Sequence, residues 1–94
     1  MSQKLTPEAL QTALKTLPDW RLEDGQLIRS ITFSTFPQAI DFVSQIAAFA
    51  EAANHHPDMD IRYNKLRVAL VTHDSGGITQ KDVDLATSIE TALP

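Results

Sequence analysis

The chain opens with a helical rhythm. After Thr6-Pro7-Glu8, apolar residues fall at Leu10, Ala13, Leu14 and Leu17, the three- and four-residue spacing of one helix face. Thr6 supplies a cap, Pro7 a first-turn residue with preset φ, and Glu8 a negative charge near the positive helix end. Pro18 closes the segment. The rhythm then shortens to two. Trp20 to Glu23 alternates apolar and charged residues, Asp24-Gly25 marks a tight hairpin turn, and Leu27 to Phe33 continues as a second strand rich in β-branched and aromatic residues. These two strands should pair antiparallel.

A second helical segment starts at Thr35-Phe36-Pro37, with Thr35 or Ser34 as cap. Phe36, Ala39, Ile40, Val43, Ile46, Ala47 and Ala50 form an apolar stripe, and Phe42 and Phe49 widen it from off its centre. A stripe wider than one contact face predicts burial on two sides, against a sheet and against a partner subunit. The helix should close near Asn54, a residue that tolerates the left-handed conformation.

Met59, Ile61 and Tyr63 then alternate with Asp60 and Arg62, predicting a third strand, and Asn64-Lys65 a tight turn. Leu66 to Thr72 is the fourth strand. Leu66, Val68 and Leu70 point to one face, while Arg67, Ala69 and Val71 point to the other with His73 in register. The second set is semi-apolar, so the far face need not be fully wet. Ser75-Gly76-Gly77 is a loop, and Thr79 followed three residues later by Asp82 predicts a capping box. Val83, Leu85, Ala86, Ile89, Ala92 and Leu93 carry a third helix. The order α-β-β-α-β-β-α predicts an α+β two-layer sandwich, a four-stranded antiparallel sheet with helices on one face. Ninety-four residues, 1–94, are expected to make one domain with a modest core, which oligomerisation would extend.

Composition narrows the function. A formal net charge of −4, from 8 Lys and Arg against 12 Asp and Glu, argues against nucleic acid as the main partner, since phosphate contacts need cations. The absence of cysteine removes disulfides, thiolate catalysis, cysteine zinc sites and iron–sulfur clusters. The N-terminal residues contain no apolar signal-peptide core, and Ile40 to Ala50 is too short and too polar to cross a bilayer. A cytoplasmic protein without a membrane partner is the expectation. Walker, dinucleotide and Gly-x-Ser-x-Gly patterns are absent.

The three histidines, His55, His56 and His73, all stand beside turn-forming residues, where a scaffold presents side chains to a ligand. Imidazole is the side chain best suited to move protons near neutral pH. Glu51 and His55 are four apart, so a carboxylate could orient an imidazole, or the two could form an ordinary exposed pair at a helix end. Pro57 biases His56 toward an extended backbone, so the two imidazoles should point apart; a polar turn and a ligand site both fit that pair. His73 precedes a glycine pair that permits a sharp turn or a close approach to a ligand. Asp82 also stands where a helix-capping acid belongs. Three imidazoles can bind zinc, but adjacent histidines rarely reach one ion and no His-x-His or His-x3-His spacing occurs, so acid–base chemistry without a metal is preferred.

Taken together, Glu51-x3-His55-His56-Pro57-x5-Tyr63-x9-His73-x8-Asp82 closely resembles the signature of the pterin-4a-carbinolamine dehydratases. Tyr63-Asn64-Lys65, Thr72-His73-Asp74, the run Asp82 to Ala86, Trp20, and the pattern Phe33, Phe36, Ala39, Phe42 match the same family, so the likeness spans nearly the whole chain. Met59 departs from it, standing where many members carry an aromatic residue. The resemblance implies the α+β fold already predicted and a metal-free, cofactor-free activity. Water would be removed from 4a-hydroxytetrahydrobiopterin to give a quinonoid dihydropterin, recycling the tetrahydropterin used by aromatic amino-acid hydroxylases. It also implies that His55, His56 and His73 are the catalytic residues lining the pterin site, with His55 and His73 transferring protons and His56 positioning the substrate or assisting. His55, His56 and Pro57 on one side and Thr72, His73, Asp74 and Ser75 on the other would hold the ring, and Glu51 and Asp82 would orient imidazoles from behind. A homodimer or homotetramer is expected. The competing expectation is a non-catalytic pterin-binding or dimerisation module, since animal members also partner a homeodomain transcription factor through a helical face.

Overall fold

The computed structural model describes residues 3–94. Helix α1, Pro7–Leu14, is capped by the Thr6 hydroxyl, which accepts from the Ala9 amide at 3.1 Å. It stops three residues short of Leu17, yet Leu17 still turns into the core and is buried. Strands β1, Arg21–Glu23, and β2, Gln26–Thr32, follow as an antiparallel hairpin. Its turn residues Asp24 and Gly25 both have positive φ, 52° and 76°, the geometry that matches the natural twist of paired strands.

Helix α2, Phe36–Ala53, is capped by Thr35, whose hydroxyl accepts from the Gln38 amide at 3.2 Å. Its buried residues are Ala39, Phe42, Ile46 and Ala50. Phe42 therefore lies at the centre of the buried face and not at its flank, while Phe36, Ile40 and Ala47 are exposed. The expected stripe was centred about one residue off, because apolar residues cover so much of this helix that spacing alone does not mark the middle. Phe42 meets Phe33 with ring centroids 5.5 Å apart, locking α2 to the sheet.

Strand β3, Asp58–Arg62, and strand β4, Lys65–Leu70, form the second hairpin. Its turn is Tyr63-Asn64, one residue earlier than predicted, with Tyr63 at φ 54°. Asn64 is held by Phe33, accepting from its amide at 2.9 Å and donating from Nδ2 to its carbonyl at 2.7 Å. That clamp sets the register and leaves Lys65 as the first strand residue. The sheet order is β1-β2-β4-β3, antiparallel throughout. Leu27 and Ile31 of β2 and Leu66, Val68 and Leu70 of β4 face the helices in one buried cluster with α2 and with helix α3, Gln80–Ala92. Full burial of each such side chain is worth about 1.5–3 kcal/mol. On the opposite face Ile28 and Ala69 stand across from each other, 1% and 4% exposed, on the side that carries Arg21, Glu23 and Arg67. The far face is semi-apolar, as its alternation predicts.

Trp20 and Arg29 tie the first hairpin to α3. The indole Nε1 donates to Glu90 Oε1 at 2.9 Å and Arg29 Nε to the same oxygen at 2.6 Å. Among the described residues no helix is long and apolar enough to cross a membrane.

Candidate functional site

α2 ends where the site begins. Asn54 takes the left-handed conformation, φ 50° and ψ 43°, and its amide closes back on Ala50 and Glu51. The His55 amide donates to the Ala50 carbonyl at 3.1 Å. This closure uses the open carbonyls of the last turn and turns the chain off the helix axis. His55 leaves the helical repeat, so it does not pair with Glu51. Its Nε2 lies 2.6 Å from Asp82 Oδ1, with side chains 10% and 0% exposed. Glu51 instead reaches His56, Oε2 to Nε2 at 2.5 Å, with side chains 77% and 58% exposed. The carboxylate expected behind His55 therefore stands beside its neighbour.

Asp82 occupies the first turn of α3, near the positive helix end that favours a carboxylate. The capping box is formed: the Thr79 amide donates to Asp82 Oδ2 at 2.9 Å. The Thr72 hydroxyl donates to the same oxygen at 2.8 Å. Among the described residues no buried side-chain nitrogen or oxygen lacks a partner.

β4 ends at Leu70, earlier than predicted, so His73 is not a strand residue in register with Val71. It opens a short 3-10 turn, His73–Ser75, which Gly76 closes at φ 75°. The Ser75 amide donates to the Thr72 carbonyl at 3.0 Å, and Thr72 and Gly77 pair across the loop. This turn lifts the His73 side chain into solvent. No side chain of the described residues bonds its imidazole, in contrast with the other two histidines.

The end of α2, the His73 turn and the start of α3 border an open surface hollow of about 380 Å³, lined by Asn54, His55, His56, Val71, Thr72, His73, Asp74 and Lys81. All three histidines thus meet at one place, although 18 residues separate His55 from His73 in the sequence. The volume suits a small ligand. Of the residues expected there, Pro57 and Ser75 are not on the wall, Asp82 lies beneath it, and Glu51 stands outside against His56. Tyr63 sits at the β3–β4 turn, 70% exposed. Lys81, Asn54 and Val71 line the hollow and were not anticipated. Lys81 directly precedes Asp82 on the first turn of α3, so its sequence position carried the signal. A hollow of about 480 Å³ between the start of α2 and the end of α3 is larger but contains no imidazole. Among the described residues no group of three or more His, Cys, Asp or Glu is arranged to hold a metal ion.

Chemically, the wall offers two imidazoles on different segments, one backed by a buried carboxylate and one open. Such a pair can give a proton at one position of a bound ring and take one at another.

A family model described as pterin 4 alpha carbinolamine dehydratase matches residues 3–92. A relative from Acidobacterium capsulatum, whose name places it among the pterin-4-alpha-carbinolamine dehydratases, is 52% identical over 90 residues, covering 96% of this chain and 98% of its own. A similarly named relative from Chloroflexus aurantiacus is 48% identical over 87 residues, covering 93% and 94%. A crystal structure from Brucella melitensis, described as a transcriptional coactivator/pterin dehydratase, superposes with a TM-score of 0.91 at 33% identity, covering 95% of this chain and 97% of that one. A pterin dehydratase-like protein described as a RuBisCO assembly factor shares the fold, with a TM-score of 0.66 at 18% identity over 78% of this chain and 87% of its own.

Proposed function

The chain belongs to the pterin 4 alpha carbinolamine dehydratase family, and from that premise we propose that it removes water from 4a-hydroxytetrahydrobiopterin to give the quinonoid dihydropterin. The C4a–O bond breaks as the hydroxyl takes a proton and leaves as water. N5 gives up its proton, and its electron pair forms the N5=C4a double bond. Atoms and charge balance with one proton delivered and one removed. The observation that carries this reading is the meeting of His55 and His73 at one hollow from different segments. Those two imidazoles exchange the protons, and His56, held by Glu51 in solvent, positions the substrate. His55 and His56 face Thr72, His73 and Asp74 across the ring, and Pro57 and Ser75 shape the two segments from outside the wall. Positioned acid–base groups of this kind contribute typically about 10²–10⁴-fold. No metal or cofactor takes part. In this reading the protein works in the cytoplasm as a single-domain homodimer or homotetramer and recycles a tetrahydropterin.

The test is to generate the carbinolamine in situ with an aromatic amino-acid hydroxylase and follow quinonoid dihydropterin with and without this protein. Faster formation is expected. Pterin binding without acceleration would replace the proposal with a second reading, a pterin-holding or protein-binding module. One observation favours that alternative: Phe36 and Ile40 stand on one side of α2, 43% and 39% exposed. An apolar helix side of that kind marks an interaction surface, and the Brucella structure is described as a coactivator as well as a dehydratase.

A further inference from the structure

Two buried hydroxyls stand in line behind His55. Thr72 and Thr79 are 8% and 0% exposed, and their Oγ1 atoms are 2.8 Å apart. Thr72 Oγ1 is also 2.8 Å from Asp82 Oδ2, and the Lys81 amide donates to Thr79 Oγ1 at 3.3 Å. Each threonine has one hydroxyl proton, and a carboxylate has none to give. Thr72 therefore donates to Asp82, and Thr79 donates to Thr72. The chain of bonds has a single direction, from the Lys81 amide through Thr79 and Thr72 to Asp82.

That direction fixes the carboxylate. Oδ2 receives both the Thr72 hydroxyl and the Thr79 amide, leaving Oδ1 for His55 Nε2 at 2.6 Å. An acceptor-only oxygen at that distance requires a proton on Nε2. In the neutral ring Nδ1 then holds the lone pair, and Nδ1 is the nitrogen free to exchange a proton.

We propose that Thr72 is a positioning residue for the dehydration: held by Thr79, its hydroxyl orients Asp82 and so keeps His55 in the tautomer whose Nδ1 meets the substrate. The inference rests on the dehydratase reading of the hollow for its catalytic consequence, but not for the tautomer itself. Helix capping does not account for the Thr72 hydroxyl, because the box on α3 is complete with Thr79 and Asp82 alone. Thr72 also anchors the opposite wall. Its amide donates to the Gly77 carbonyl at 3.0 Å and its carbonyl accepts from Ser75, which shapes the turn carrying His73. One buried residue thus sets the supports of both proton-transfer histidines.

Thr72→Val keeps the shape and removes the hydroxyl, whereas Thr72→Ser keeps the hydroxyl. Nitrogen-15 spectra of histidine-labelled full chain report the His55 tautomer without any turnover. The wild type is expected to show the proton on Nε2, and Thr72→Val a mixture of both tautomers, with kcat lower by roughly 10-fold or more and KM little changed. Thr72→Ser should restore both signals. Thr72→Ala, which lacks the hydroxyl and fits any packing, replaces Thr72→Val if that variant does not fold. A wild-type proton on Nδ1 overturns the proposal, as does wild-type kcat in Thr72→Val, or an equal loss in the Ser and Val variants. A tautomer change in a protein with no wild-type turnover would sink the dehydratase reading and leave the positioning of His55 standing.

Discussion

Two carboxylate–histidine pairs lie side by side and differ in almost everything except length. His55–Asp82 measures 2.6 Å and His56–Glu51 2.5 Å. The first is buried, with Asp82 fully enclosed and further bonded by Thr72 and Thr79. The second has side chains 58% and 77% exposed. Distance therefore does not rank them. In water the attraction between two charges is weak and ordering two side chains offsets much of it. In the interior, a group that loses its partner has no water to replace it. The buried pair fixes a geometry, while the exposed one holds His56 more weakly.

The sharpest way to break this contrast is to remove each carboxylate in turn. Asp82→Ala strips acceptors from His55, the Thr72 hydroxyl and the Thr79 amide together, and should cost about 3 kcal/mol or more. Glu51→Ala should cost less than about 1 kcal/mol. Urea unfolding of both variants, compared at equal m values, measures the difference. Comparable losses would mean that burial does not separate the pairs.

The sequence carried half of the buried pair. Thr79 and Asp82 are three apart, so their cap was legible from local spacing, as were the Asp24-Gly25 turn and the left-handed Asn54. His55 and Asp82 are 27 residues apart, and no local rule joins them; only the family resemblance set them in one site. The local rule applied to His55 chose the wrong carboxylate. Residues four apart share a helix face only while the helix continues, and Asn54 ends it between Glu51 and His55. The Tyr63-Asn64 turn was displaced for a related reason, since the clamp that sets it comes from Phe33, 31 residues away. Short-range chemistry was readable, and long-range hydrogen bonds were not.

Catalysis should follow the same division. His55→Ala and His73→Ala are each expected to lower kcat by roughly 10²-fold or more, measured in the hydroxylase-coupled assay. His56→Ala should show a clearly smaller loss in kcat and a larger share of its effect in KM, the signature of positioning. A kcat loss for His56 as deep as that for His55 would erase the distinction between the pairs. Near-wild-type dehydration after losing His55 or His73 would remove that residue from the chemistry.

The smallest effect belongs to a third charged group, outside the hollow, which tests whether exposure sets the scale. The Glu23 carboxyl is held below its ordinary pKa, first by the hydrogen bond from Arg21 and by that residue's charge; desolvation opposes this, and Arg67 adds lesser contributions in the same direction as Arg21. Arg21 Nε stands 2.8 Å from it and Arg67 3.4 Å, with all three side chains near half exposed. A carboxyl whose folded pKa is lowered stabilises the fold above its unfolded pKa and loses that contribution as pH falls through the folded value. Glu23→Gln should therefore melt slightly below the wild type at neutral pH, and the two should converge in acid, below the ordinary carboxylate range. Added salt should close the gap at neutral pH as well, because exposed charges are screened. Paired thermal melts across pH and salt measure both trends. A gap that widens on acidification, or that rivals the loss from Asp82→Ala, would mean that solvent exposure is not what makes one ion pair of this protein matter and another nearly silent.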